Sequence, residues 1–242
     1  MIYTPRYDSD LLRGKEEQRP WNFLQEVRRY ARDSDTLLDI GCGTVAKTLR
    51  LACDVAAIYG LEPSAQMRHK ARENIWVSGK KNIALVGGCA EQTPFYDNMF
   101  DIVICIMAPH DTKEIYRILK PGGRAIVEKV GDRDKYNFKQ VFGNDSQGSP
   151  RGYNCEFEEG QLADILTQQF GEMSFREVSV RNGFWKTWYS FQGLVMLIEE
   201  TKTISGFDRA QDYRFLQEIR DRYMTENGIE TMQNRVMIQA QK

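Results

Sequence analysis

Paired cysteines, a basic surplus and long apolar runs are all missing from this 242-residue chain. Its five cysteines stand at 42, 53, 89, 105 and 155 without C-x-x-C spacing, which argues against a disulfide framework or a zinc ribbon and predicts reduced thiols. Lys and Arg number 33 against 34 Asp and Glu, a net charge of −1, so no global field draws the chain to nucleic acid or to an anionic membrane. No stretch approaches the roughly eighteen apolar residues of a membrane span, and Met1-Ile2-Tyr3-Thr4-Pro5-Arg6 lacks a secretory apolar core. A soluble, cytoplasmic protein is expected, with no membrane partner. Internal repeats and low-complexity tracts are absent as well. The length suits one α/β domain with a lid or cap better than two independent domains.

What is present begins at Leu37-Leu38-Asp39-Ile40-Gly41-Cys42-Gly43: an apolar strand end, an acid, then two glycines around one small residue. Such a pair lets the backbone turn tightly and approach a ligand, and Thr44 to Cys53 is expected to begin a helix whose amides face that ligand. Gly41, Gly43 and Ala46 also fit the dinucleotide pattern G-x-G-x-x-G/A, so glycines alone do not choose the cofactor. Asp39 does. A carboxylate two residues before the first glycine repels a pyrophosphate but attracts ammonium and sulfonium charges, which points to S-adenosylmethionine (SAM). About twenty residues on, Glu62 closes the apolar run Ala56 to Leu61, where an acid is expected to hold ribose hydroxyls. Ser64 follows as the N-cap of a helix through Ala65 to Val77.

Three further stretches complete a resemblance. Cys89-Ala90-Glu91-Gln92-Thr93-Pro94-Phe95 resembles the adenine-binding loop of the class I SAM-dependent methyltransferases, in particular the group that includes the ubiquinone and menaquinone biosynthesis enzymes. Phe100 to Cys105 is similar to their fourth strand, and Arg117-Ile118-Leu119-Lys120-Pro121-Gly122-Gly123 to their turn into a fifth strand, Arg124 to Val130. The resemblance covers residues 37 to 130. It implies an α/β, Rossmann-like, seven-stranded and mostly parallel sheet with helices on both faces and a small cap. It implies SAM as cofactor, S-adenosylhomocysteine as product and no metal. The cofactor residues would be Asp39, Gly41, Cys42, Gly43, Glu62, Pro63, Met67, Ala90, Glu91 and Met107. The chain departs from the pattern at Val45, which is expected to narrow the room beside the methionine moiety. It departs again at Cys89, where Glu91 is expected to take over the polar contact to adenine.

Short apolar runs alternate with helical patterns from 36 to 130, as in a parallel sheet covered on both faces. Residues 1–35 read as an N-terminal helical lid segment, helical from Pro20 with Trp21, Leu24, Val27 and Ala31 on one face. Arg13, Gly14 and Lys15 are candidates for the SAM carboxylate, or an exposed basic turn. Residues 36–242 read as the main domain, with lid or cap insertions near 131–157 and 184–226. The first of these is rich in Gly, Asn, Asp and Ser, either disordered or a lid. Helices are expected over Glu158 to Phe170, Gln192 to Thr201 and Phe207 to Tyr223, and strands over Phe175 to Val180 and Arg235 to Ala240.

Methyl transfer from a sulfonium is an in-line displacement, so the protein mainly supplies position, water exclusion and, for some acceptors, a base. His110, just past the fourth strand, is the candidate catalytic base, or else a turn residue beside a short helix from Asp111. His69 reads as part of a solvated face. Tyr3, Tyr7, Trp185, Trp188 and Tyr189 can wall an apolar acceptor pocket, with Tyr7, Trp185 and Trp188 as the substrate candidates, or can pack in the core. The expected activity is methylation of a small-molecule acceptor by a monomer or homodimer. RNA methylation is the alternative within enzymes, although no Asn-Pro-Pro-Tyr or Pro-Cys motif and no basic stripe occurs, so no nucleic-acid partner is expected. A SAM-binding subunit without activity is another reading, and arsenic methylation on thiolates or a nicotinamide dehydrogenase are the remaining ones.

Overall fold

The computed structural model describes residues 13–242. Five strands form its parallel half: β2 (Thr36–Ile40), β3 (Ala57–Leu61), β4 (Ile83–Val86), β5 (Phe100–Ile106) and β6 (Leu119–Val130). All their mutual pairings are parallel. Both faces of this sheet are covered, which is why the strands are near-continuous apolar runs. Leu38, Val103 and Val127 belong to one core cluster, Leu37, Ile104 and Ile126 to another across the sheet.

The helices between these strands start where their caps allow. In α2 (Ala65–Ser78) the Ser64 hydroxyl accepts from Met67 N–H, as expected from the sequence, and α3 (Thr112–Ile118) is capped by Asp111 accepting from Glu114 N–H. Two helical expectations fail. The first helix, α1, runs only over Phe23–Arg28, because Asn22 rather than Pro20 supplies the cap. After the glycine loop the chain makes one 3-10 turn, Thr48–Leu51, in place of an α-helix. Left-handed backbone at Gly41, Gly43 and Val45 uses up the residues that would have formed the first helical turn.

The other half is antiparallel. Strand β9 (Gly228–Gln241) lies between β6 and β7 (Arg176–Tyr189) and opposes both, while β1 (Arg13–Glu16) edges β7 and β8 (Met224–Thr225) edges β9. The sheet order is β1-β7-β9-β6-β5-β2-β3-β4, so the expected seven strands are present with β1 and β8 added to make nine. Strand β7 also runs nine residues past Val180, where the sequence reading ended it. Gly183 lies in this extension, where its missing side chain makes room for the Trp21 ring, with which any Cβ would collide. Pairing continues straight through it to β9.

Beyond the carboxyl end of β6, β7 and β9 project as a ribbon that carries α4 (Tyr136–Phe142), α6 (Phe191–Glu200) and α7 (Arg209–Tyr223). These helices share a cluster of their own, with Phe138, Tyr189, Leu194, Leu216, Ile219 and Ile229 fully or almost fully buried. The turn-rich segment is tied into it. Arg151 forms a two-pronged bond to Asp212 of α7 at 3.0 and 2.7 Å, and Lys139 donates to Tyr153 O at 2.6 Å. Helix α5 (Gln161–Glu172) returns to the main core through Leu166 and Phe170.

Candidate functional site

The carboxyl ends of β2, β3 and β5 converge on one crevice, the position where open α/β sheets take ligands. Its floor is set by backbone. Gly41 and Cys42 both donate to Leu61 O, at 2.8 and 3.1 Å, which turns the loop after β2 across the end of β3. Gly41 has φ +72°, and a Cβ there would collide with Ala108 of the loop after β5. Gly43 has φ +54° and open space where a side chain would project.

Glu62 is buried, and its two oxygens are already oriented: one accepts Gly43 N–H at 3.0 Å, the other Ser64 N–H at 2.9 Å. Arg68 of α2 fixes the same turn from below, donating to Glu62 O and Pro63 O at 2.6 and 2.8 Å. Asp39 is 3 % exposed and accepts from the Thr48 hydroxyl. Burial pushes its carboxyl up to about 7, against the pull of Thr48 and Lys47. Thr48 and Arg68 carried no signal in the sequence; each acts through a fold that brings distant or backbone partners to it.

The remaining candidates divide. Pro63 is exposed and Met67 half-buried beside Glu62, while Met107 is 39 % exposed in left-handed backbone at the end of β5. In the loop after β4, Ala90 is buried, whereas Cys89 and Glu91 are exposed. Thr93 anchors that loop by donating twice to Glu114, at 3.0 Å each. The Arg117 guanidinium beside Glu114 holds that carboxyl down to about 2. Cys42 is buried beneath the loop with its thiol pushed up by burial, so it contributes backbone rather than a reactive sulfur.

Val45 does not narrow the crevice. It is fully buried in a cluster with Cys42, Leu49 and Ala71, at φ +54°, a strained conformation for a β-branched residue. Lys15 does not reach the glycine loop either; it donates to Asn227 Oδ1 at 2.6 Å. Arg13 and Gly14 lie on β1. Tyr3 and Tyr7 lie outside the described residues. His69 is exposed and faces Glu73 on α2.

Trp185 and Trp188 are on opposite faces of β7, three residues apart on an alternating strand, so they do not wall one pocket together. Trp185 is 6 % exposed, with guanidinium groups of Arg19 and Arg235 over its ring; Trp188 donates to Glu230 at 2.9 Å. His110 stacks on Phe170 with ring centroids 6.0 Å apart, and its buried Nε2 finds no hydrogen-bond partner among the described residues. Burial, with the Lys129 ammonium nearby, holds the imidazole down to about 4. It is neutral at pH 7. Lys129 itself donates to Ala108 O at 2.6 Å, a second neighbour that sequence reading missed.

Residues 38–127 match the family described as methyltransferase domain. The matched span runs from β2 into β6, taking in Asp39, the glycine turn, Glu62, the loop after β4 and His110. The chain is similar to the demethylmenaquinone methyltransferases of Geobacillus stearothermophilus, 31 % identical over 43 % of this chain and 49 % of that one, and of Symbiobacterium thermophilum, 37 % identical over 44 % and 47 %. It thus spans about half the length of these curated relatives. Among solved structures, the YcgJ protein of Bacillus subtilis shares the fold of the methyltransferase domain and its surroundings, with a TM-score of 0.65 at 20 % identity over 91 % of this chain and 97 % of that one. Among the described residues no helix is long and apolar enough to cross a membrane, and no group of three or more His, Cys, Asp or Glu is arranged to hold a metal ion.

Proposed function

We propose that the chain is a SAM-dependent methyltransferase acting on a small-molecule acceptor. One observation carries the reading: both oxygens of Glu62 are pre-set by backbone amides at the edge of an open glycine turn, with Asp39 beneath it. A carboxylate so fixed accepts from vicinal ribose hydroxyls without reorganising, and the pair of acids favours a cationic ligand over a pyrophosphate. Asp39 would face the ammonium end, Glu62 the ribose, and Pro63, Met67, Ala90 and Glu91 the adenine. Gly41, Cys42 and Gly43 would offer backbone, and Met107 a wall beside the reacting carbon. When bound, SAM supplies a methyl on a positively charged sulfur. The likeness to proteins named demethylmenaquinone methyltransferase supports a small acceptor over RNA.

His110 is the proposed proton acceptor for acceptors that need one. Its ring is already unprotonated at neutral pH, and its Nε2 is unengaged among the described residues. The 131–157 and 184–226 segments are the proposed cap over the acceptor. A second reading, a SAM-binding protein without turnover, draws on the way His110 is turned onto Phe170. Calorimetric titration is expected to give saturable SAM binding and none for NAD; no SAM binding at high micromolar concentration overturns the proposal. An acceptor screen that detects S-adenosylhomocysteine, run beside His110→Ala, separates the two readings, and tRNA gel shifts are expected to show no binding.

A further inference from the structure

The ribbon beyond the carboxyl end of β6 bears a second concavity, lined largely by the segments proposed above as the cap, whose lining residues have been given no individual role so far. It has a volume of about 460 Å³, within the size range of small-ligand sites. Val130, the last residue of β6, pairs with Arg235, so Met232 in the cleft wall lies about 10 Å further along β9. None of the residues lining the cleft belongs to the glycine turn or to the turn at Glu62.

Three cations reach it from three elements: Arg133 from the loop after β6, Lys186 from β7 and Arg222 from the end of α7. Glu230 is the only acid among the lining residues. Both of its oxygens are engaged, one by Lys186 Nζ at 3.0 Å and the other by Trp188 Nε1 at 2.9 Å. Glu230 and Glu17 hold Lys186 firmly in its charged form, and the Arg133 and Arg222 guanidinium groups, with five N–H donors each, keep donors to spare for an anion. Outside the cleft, Arg133 meets Glu158 and Glu159 only at 3.8 Å each, and Arg222 pairs with Glu218 one turn back while its side chain stays 60 % exposed.

The rest of the wall is apolar or aromatic. Met224 and Met232 are 50 % and 38 % exposed, an unusual state for two methionines in one concavity, and their flexible thioethers adapt to ligand shape. Tyr136 offers a ring already stacked under the Arg133 guanidinium at 4.6 Å. Arg133 is further oriented by donating to Phe157 O at 2.9 Å. Cations thus face soft apolar surface across one cleft.

We infer that this cleft binds a small amphiphilic anion, an aromatic body bearing a phosphate or carboxylate, held by Arg133, Lys186 and Arg222 with its ring against Tyr136, Met224 and Met232. The site stands independently of the methyl-donor reading. The test is calorimetric titration of the full chain with phenyl phosphate, beside inorganic phosphate and benzyl alcohol, and repeated on the Lys186→Gln/Arg222→Gln double variant. The replaced side chains are 41 % and 60 % exposed, so the fold is expected to be retained, with thermal unfolding as the check. The expected result is saturable binding of phenyl phosphate, at least about tenfold tighter than either half-probe and weakened about tenfold in the double variant, one charge-assisted contact's worth. Absence of saturable binding, equal affinity for inorganic phosphate, or an unchanged double variant overturns the inference. SAM affinity is expected to be the same in both proteins, so failure here and failure of the donor site read out separately.

Discussion

The parallel and antiparallel halves of the sheet handle polar groups in opposite ways. At the carboxyl ends of β2 and β3, the acids are pinned by neutral donors, backbone N–H groups for Glu62 and a hydroxyl for Asp39, with the Lys47 ammonium acting on Asp39 through space. In the ribbon beyond β6, Asp134 is paired at once with Lys135 at 2.7 Å and with Arg235, all with side chains at most 12 % exposed. Burial alone would push the Asp134 carboxyl up, but Arg235 and Lys135 pull harder and hold it below its ordinary range. The first arrangement leaves acidic charge of the kind that the proposed cationic ligand needs; the second compensates charge internally, as a segment that must hold itself together requires. The family match falls on the first half and stops within β6.

That contrast can be broken by mutation. The largest expected effect is in the ribbon: Asp134→Ala leaves Lys135, Arg235 and the neighbouring Lys139 buried without their counter-charge and is expected to destabilise the fold by about 3–5 kcal/mol, read by urea unfolding. Donor affinity per folded molecule is expected to survive. Glu62→Ala should do the reverse, costing about 3 kcal/mol, or some hundredfold, in SAM affinity by calorimetry while the unfolding midpoint moves far less.

The pH dependence of binding sharpens the same point. Asp39 is raised to about 7 by burial, so it is half ionised there, mostly neutral at pH 6 and mostly charged at pH 8. A cationic ligand needs the charged form, so SAM affinity is expected to rise about tenfold from pH 6 to pH 8 and to lose that slope in Asp39→Asn. The smallest effect is expected for Arg68→Ala. Removing its two bonds to the Glu62 and Pro63 carbonyls loosens the turn and weakens SAM binding by about 1 kcal/mol, several-fold, with turnover at saturation unchanged.

The parallel half was the legible one because its signals are local. Apolar runs gave β2, β3 and β5, while Ser64 and Asp111 announced α2 and α3 through side chains that cap within three residues. The ribbon and cap depend on distant partners instead. Helix α4 begins at Lys135, in left-handed backbone and without a side-chain cap, so nothing in the turn-rich sequence marks its start. What stabilises it is Phe138 and Phe142 packing against residues more than fifty positions away. Likewise, the identity of Asp39 was visible but its Thr48 partner was not, because a regular helix would have carried Thr48 elsewhere. Trp185 and Trp188 stood out by composition; only the register of β7 against β9 separates their faces.

Strand β9 follows every other element in sequence yet occupies the middle of the sheet, hydrogen-bonded to β6 on one side and β7 on the other. During synthesis, therefore, the donor-side strands can assemble while two long backbone edges still wait for residues 228–241 to leave the ribosome. Until that insertion, a nascent chain exposes sticky, template-like borders to its neighbours. Expression yield, more than the chemistry at the crevice, will register any delay in closing that gap.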